Sequence, residues 1–342
     1  MIGRDRLRNQ FLQSHNWDKA GFVPLTCDAS NRQYFRLTRG PQNQGALLMD
    51  AEPETSGLQD GFLRMAEYLI RAGFSAPRIF AADILTGFIL LEDFGDALFS
   101  KLAATNPDQE ATLYCAAADY LLALHRQPAA AGLAVVTPRM LAQMIAPAFD
   151  WYGYKAAPDM IHGAKSATIE RLHDCLSRHA HMDSVTVLRD FHSENLIWLP
   201  DRQAVARVGL LDFQDAVIGH PAYDLVSLTR DARRDLGPGV LAQTTERYLA
   251  GSTLDREVFL TAAAVLSVQR NLRILGVFVR LAFVAEKPHY LDFLPRVWGH
   301  LMRDLAHPAL RDLARVITDS LPPPEALLLT ALKAACPKLP PH

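Results

Sequence analysis

Two polar loops, each clamped between short apolar runs, constrain this chain more than any other feature. The first reads Val187-Leu188-Arg189-Asp190-Phe191-His192-Ser193-Glu194-Asn195-Leu196-Ile197-Trp198, and the second Gly209-Leu210-Leu211-Asp212-Phe213-Gln214-Asp215-Ala216. The flanking runs Val185–Leu188, Leu196–Leu199 and Val208–Leu211 have β character. A rigid hairpin is therefore expected to hold both loops and aim their side chains. Asp190 and Asn195 are five residues apart, and Asp212 lies seventeen beyond Asn195. Such hard oxygen ligands suit Mg²⁺ on phosphates, and a carboxylate beside them can receive a hydroxyl proton.

The surrounding chain changes texture once. From Gly21 to Asp93 the runs Phe22–Leu25, Gln33–Leu37 and Ala46–Met49 read as strands, followed by a helix over Leu58–Ala72 and two more strands at Pro77–Ala82 and Phe88–Glu92. After Glu92-Asp93-Phe94-Gly95-Asp96 the pattern predicts helices over Asp108–Arg126, Asp159–Ala180 and Asp255–Ala285. An α+β chain is expected, with a small β-rich lobe at 1–93 and a larger, mostly helical lobe at 94–342.

Composition narrows the partners. Hydrophobic residues at 49% against 21% charged can bury a real core, and a net charge of −2 without a basic cluster argues against nucleic acid. Four widely spaced cysteines read as reduced thiols. The N-terminus lacks an apolar signal stretch, and the apolar segments Val277–Ala285 and Ala326–Ala335 are short and carry Arg280 and Lys333. The expectation is a cytoplasmic monomer without membrane or nucleic-acid partners.

The Asp190/Asn195 spacing matches the kinase catalytic loop, and Asp212-Phe213-Gln214 stands where kinases carry Asp-Phe-Gly. Together with Gly219-His220-Pro221-Ala222-Tyr223-Asp224-Leu225, these segments resemble the aminoglycoside phosphotransferase (choline/ethanolamine kinase-like) superfamily over nearly the whole chain. The resemblance implies a bilobal protein-kinase-like fold and a small-molecule kinase using ATP and Mg²⁺. Asp190 would be the base, Asn195 and Asp212 the metal ligands, and Asp224 a structural carboxylate holding the catalytic loop. Four segments, Asp28–Arg36, Met49-Asp50-Ala51, Asp212–Ala216 and Gln269–Phe278, resemble the bacterial kinases that phosphorylate N-acetylmuramate and N-acetylglucosamine at the anomeric hydroxyl. An amino-sugar substrate and a role in cell-wall recycling are what that resemblance implies.

The chain departs from the superfamily pattern in three places. Leu188 replaces the histidine that usually opens the catalytic loop. Asp28-Ala29-Ser30-Asn31-Arg32 replaces a Gly-rich phosphate loop, with Ser30 and Arg32 as its nucleotide contacts. The strand Ala46-Leu47-Leu48-Met49-Asp50 has no lysine, so Arg32 or Arg36 supplies the positive charge, and Glu67 becomes an ordinary surface residue. Glu92 and Phe94 lie in the expected interlobe hinge, where backbone groups bind the adenine edge. His192, Glu194, Gln214 and Asp215 are candidates for the acceptor pocket. Arg270, on an apolar helix with Arg273, could bind a sugar-borne carboxylate or pair with an internal acid. Two rivals remain: the same chemistry on an aminoglycoside, choline or homoserine, and a catalytically dead pseudokinase.

Overall fold

A computed structural model describes residues 3–25, 32–181 and 184–337. Backbone contacts separate the chain into two compact units, Met1–Ala123 with Ser193–Ala216, and Leu124–His192 with Val217–His342. The segment carrying Asn195 and Asp212 thus groups with the N-terminal sheet, a grouping that a single cut after residue 93 does not have.

The first unit is built on a five-stranded antiparallel sheet, ordered β1-β2-β3-β5-β4, from β1 (Gly21–Leu25), β2 (Gln33–Thr38), β3 (Ala46–Asp50), β4 (Ile79–Asp83) and β5 (Phe88–Leu91). Side chains alternate across it. The register Phe35↔Leu48↔Leu90 lines one face and Tyr34↔Met49↔Ile89 the other. Helix α1 (Arg4–Ser14) covers the first face, where Phe11, Leu12 and the following Trp17 pack with Phe35, Leu37, Leu48, Phe88 and Leu90. The buried Asp50 is balanced from α1, because Arg4 Nε donates to its Oδ1 at 2.8 Å while the guanidinium lies 4.0 Å from the Phe88 ring centroid.

After a short α2 (Pro53–Ser56), helix α3 (Asp60–Arg71) buries Phe62, Met65, Ala66 and Leu69; of the stripe Leu58, Phe62, Met65 and Leu69 that the apolar period predicts, Leu58 lies before the helix and is exposed. Helices α4 (Phe99–Thr105) and α5 (Glu110–His125) follow. The hairpin of β7 (Leu196–Trp198) and β8 (Val208–Leu210) joins this unit through Leu210 N–H to Ser75 C=O at 2.8 Å and Trp198 N–H to Ala97 C=O at 2.8 Å. Gly209 is required there: a Cβ would come within 2.9 Å of the Phe94 ring.

The second unit is mostly helical: α6 (Pro138–Gln143), a π-helical turn at Ala148–Gly153, α7 (Tyr154–Ala156), α8 (Ala164–His179), α9 (Ala222–Thr229), α10 (Val240–Ala250), α11 (Arg256–Val284), α12 (Leu294–Leu305), α13 (Arg311–Thr318) and α14 (Ala326–Ala335). The helix expected over 159–180 begins only at 164, because Gly163 turns the chain at φ 74°. Asp255 caps α11 by accepting Val258 N–H at 2.9 Å. At 29 residues α11 is long and apolar enough to cross a membrane, yet 78% of its most apolar window is buried inside the protein, as in a core helix. It packs so closely on the π-turn that a Cβ on Gly276 would lie 2.0 Å from Pro147 backbone atoms.

The single hairpin expected around the two loops is corrected here. Strand β6 (Val185–Val187) leaves β7 and β8 and pairs with β9 (Val217–Gly219), a strand the sequence reading missed. The fold class itself is the expected α+β, an antiparallel sheet followed by a mostly helical remainder.

Candidate active site

The Asp190 loop is held from below by α9. Asp224, wholly buried, accepts Leu188 N–H at 2.6 Å and Arg189 N–H at 2.8 Å, and Ser227 Oγ donates to Arg189 C=O at 2.9 Å. These bonds hold Arg189 at φ 69°, a left-handed conformation costly for a residue with a side chain. Burial pushes the Asp224 carboxyl up to about 7, against the two N–H bonds that favour its ionised form. The structural role expected for Asp224 is therefore visible in the bonds it makes.

Charged groups gather around Asp190 within the same unit. His192 is buried, which pulls its imidazole down to about 3, with Asp231 opposing and Arg233 and Arg270 reinforcing, so it is neutral at pH 7. Arg270 on α11 is buried too; desolvation lowers its guanidinium, while Tyr223, Asp231 and Asp190 favour the charged form. Its Nη1 has no hydrogen-bond partner. Asp231, 2% exposed, accepts Arg233 N–H at 3.0 Å and lies 3.9 Å from Arg233 Nη1. The sequence reading missed Asp231 and Arg233. The available signal was a charged run, Arg230-Asp231-Ala232-Arg233-Arg234, directly after an apolar helix.

In the first unit, Asn195 precedes β7 and Asp212 follows β8, and Leu211 N–H donates to Asn195 C=O at 2.9 Å, so the hairpin itself brings the two turns together. Asp212 sits at φ 57°. Phe213 is buried and stacks on Phe62 of α3 at 4.9 Å, which anchors the turn. Gln214 Nε2 donates to Asp212 Oδ1 at 2.7 Å, and Gln214 Oε1 is buried without a partner. Arg32 Nη1 lies 3.5 Å from the same Asp212 oxygen. An exposed carboxylate, a neighbouring amide and an unpaired acceptor oxygen fit a hard cation such as Mg²⁺. Among the described residues no cluster of three or more His, Cys, Asp or Glu offers an alternative metal position.

The hinge side chains have structural partners. The Glu92 carboxylate takes Arg202 Nη2 at 2.7 Å and Arg78 Nε at 3.2 Å, and Arg202 also lies 4.9 Å from the Phe94 ring centroid. Both side chains are thus engaged within their own unit. Arg36 binds Asp96 through two nitrogens, at 2.8 and 3.0 Å, and Asp93 at 3.2 Å. Glu67 pairs with Arg71 on the exposed side of α3, as expected of a surface residue.

By backbone contacts, Arg32, Glu92, Phe94, Glu194, Asn195, Asp212, Gln214 and Asp215 fall in the first unit, and Asp190, His192 and Arg270 in the second. Glu194 and Asp215 are exposed. Ser30 lies outside the described residues.

Residues 21–259 match the phosphotransferase enzyme family, APH. The chain belongs to that family. Two relatives are similar to this phosphotransferase over most of their length. The N-acetylmuramate/N-acetylglucosamine kinase of Caulobacter vibrioides is 36% identical, covering 91% of this chain and 94% of its own. The kinase of the same name from Pseudomonas aeruginosa is 31% identical over 89% of each. The fold is shared with the crystal structure of a choline/ethanolamine kinase family protein from Mesorhizobium loti (TM-score 0.63, 14% identity, 92% of this chain and 98% of that one). This phosphotransferase is accordingly a kinase of the protein-kinase-like fold, as its loop motifs implied.

Proposed function

We propose that this kinase transfers the γ-phosphoryl group of ATP to the anomeric hydroxyl of an amino sugar, N-acetylmuramate or N-acetylglucosamine. The observation that carries this reading is the similarity, along nine-tenths of the chain, to two kinases named for those sugars. Residues 1–93 serve as the nucleotide lobe and 94–342 as the catalytic and sugar lobe.

Asp190 receives the anomeric proton from a loop whose backbone Asp224 and Ser227 hold, so the base arrives at the acceptor already oriented. Asn195 and Asp212 are the ligands for Mg²⁺, which, when bound, neutralises charge on the nucleotide phosphates. The backbone at Glu92 and Phe94 takes the adenine edge, and Ser30 and Arg32 take phosphate oxygens. Neutral His192, with Glu194, Gln214 and Asp215, pairs sugar hydroxyls and the acetamido group. The unpartnered Nη1 of Arg270 supports a role in binding the lactyl carboxylate of N-acetylmuramate. The enzyme works as a cytoplasmic monomer, and its sugar 1-phosphate enters nucleotide-sugar synthesis in cell-wall recycling.

The test is product analysis by ³¹P NMR after incubation with Mg²⁺-ATP and a panel of N-acetyl sugars, aminoglycosides, choline and homoserine. A sugar 1-phosphate is expected; turnover confined to another acceptor overturns the substrate, and no ATP consumption at all leaves a dead kinase. Asp190→Asn should lower kcat by about 10²–10⁴-fold while ATP affinity, by calorimetry, stays within about twofold.

A further inference from the structure

Kinases carry Asp-Phe-Gly where this chain carries Asp212-Phe213-Gln214, so a side chain stands here where the kinase motif has none. Its amide meets the neighbouring carboxylate. Gln214 Nε2 donates to Asp212 Oδ1 at 2.7 Å, and Arg32 Nη1 lies 3.5 Å from the same oxygen. Among the described residues, Asp212 Oδ2 takes no hydrogen bond or ion pair. The two oxygens of one carboxylate thus have separate surroundings. One is held by the protein, and the other is left for a ligand, on a side chain that is 46% exposed.

The turn around this pair is stiff. Asp212 sits at φ 57°, a left-handed conformation costly for a residue with a side chain. Phe213 is buried against Phe62 of α3, and Ala216 N–H closes the turn on Phe213 C=O at 3.2 Å. Gln214 C=O lies near the start of α3, where a Cβ on Gly61 would stand 3.7 Å from it. With the backbone fixed, the freedom left to Asp212 is rotation of its carboxylate, and the amide donor restrains it. Mg²⁺ demands near-octahedral geometry, so a carboxylate that presents one oxygen in one direction binds it better than one that turns. A neutral amide supplies this restraint without cancelling the charge that attracts the ion.

The other end of the same amide, Oε1, is buried without a hydrogen-bond partner. An open buried acceptor marks a place that water or an ion commonly fills. Mg²⁺ usually keeps several of its waters, and such a water is a donor that Oε1 can take.

We infer that Gln214 is the positioning residue of the metal site: it holds Asp212 by Oδ1, so that Oδ2 is the oxygen given to the cation. The inference rests on the kinase reading and gives Gln214 a task beside the sugar contact proposed above.

The test uses Mn²⁺, whose EPR signal reports binding without turnover. Mn²⁺ is titrated into wild type, Gln214→Met and Gln214→Asn holding β,γ-imido ATP, with protein in excess so that no nucleotide is free. Gln214→Met keeps the length and removes the donor. Gln214→Asn keeps the amide but falls short of Asp212, and it answers the question if the first variant does not fold. Each should raise the Kd for Mn²⁺ about 10–100-fold, while the Kd for the nucleotide in EDTA, by calorimetry, stays within about twofold. A Kd for Mn²⁺ within about twofold of wild type in a folded variant overturns the inference, whatever happens to the sugar KM. So does an equal loss of nucleotide affinity in EDTA, which a merely structural role would give. A wild type that binds neither nucleotide nor Mn²⁺ overturns the kinase reading beneath it, an outcome separate from any glutamine variant.

Discussion

Asp190 and Asp224 carry the same chemical group to opposite ends, and their surroundings decide which does what. Asp190 lies half-buried on a loop, while Asp224 is wholly buried beneath that loop with each oxygen taking a backbone N–H. Asp224→Asn keeps the shape but turns one acceptor into a donor, which leaves a buried N–H facing an NH₂ group. Such a mismatch costs about 1–3 kcal/mol. Both the melting temperature and kcat should fall, whereas Asp190→Asn should cost kcat with little stability. A thermal melt beside a kcat measurement separates the two. Arg270 gives a specificity test. Arg270→Met retains the aliphatic bulk but removes the unpartnered N–H. KM for N-acetylmuramate should rise about tenfold or more and that for N-acetylglucosamine change less than about threefold. Equal changes for both sugars would make the arginine a general positioning residue. Neither Asp231 nor Arg233 was legible beforehand, since a charged run after a helix looks the same whether it is solvated or folded inward.

Elements position these residues through contacts that lack any local signature. The β7–β8 hairpin fixes Asn195 beside the Asp212 turn by register, and Phe213 on Phe62 ties that turn to α3. Helix α11 carries Arg270 and depends on Gly276, where the Pro147 backbone leaves no room for a Cβ. Gly276→Val should destabilise by about 1–3 kcal/mol or more, because the obstacle is backbone and cannot rotate away. Denaturant titration measures it, and an unchanged midpoint would mean that the π-helical turn yields. Helix α3 was readable from its apolar period, α11 from a long helix-prone run, and the N-terminal strands from short apolar runs bounded by turn residues. The pairing of β6 with β9 was not, because three-residue strands contain no register information.

At the scale of the whole molecule, buried neutral histidines govern the response to acid. Burial holds His125 and His192 near about 3, and His220 and His300 near about 4, all below the ordinary 6.5. Between pH 6.5 and 4 the unfolded chain therefore binds protons that the folded chain refuses. Stability rises with pH across that window and is lost as pH falls, by up to about 1.4 kcal/mol per pH unit for each histidine. Asp224 works against this, since its raised pKa makes the fold less stable as pH climbs toward 7, but it is one group against four. Urea midpoints at pH 7, 6 and 5 should fall steadily, and His300→Gln should flatten the slope by about one proton. A flat profile would mean that these imidazoles reach water. By itself the sequence determined the α+β class, the strand and helix periods and the spacing of Asp190, Asn195 and Asp212, because all of these are set by separation along the covalent chain. Tertiary structure alone decided that Asp50 belongs to Arg4, Arg36 to Asp96, and Arg32 to Asp212. The partners stand 46, 60 and 180 residues apart along the chain, so no local pattern pairs them and only the folded backbone does.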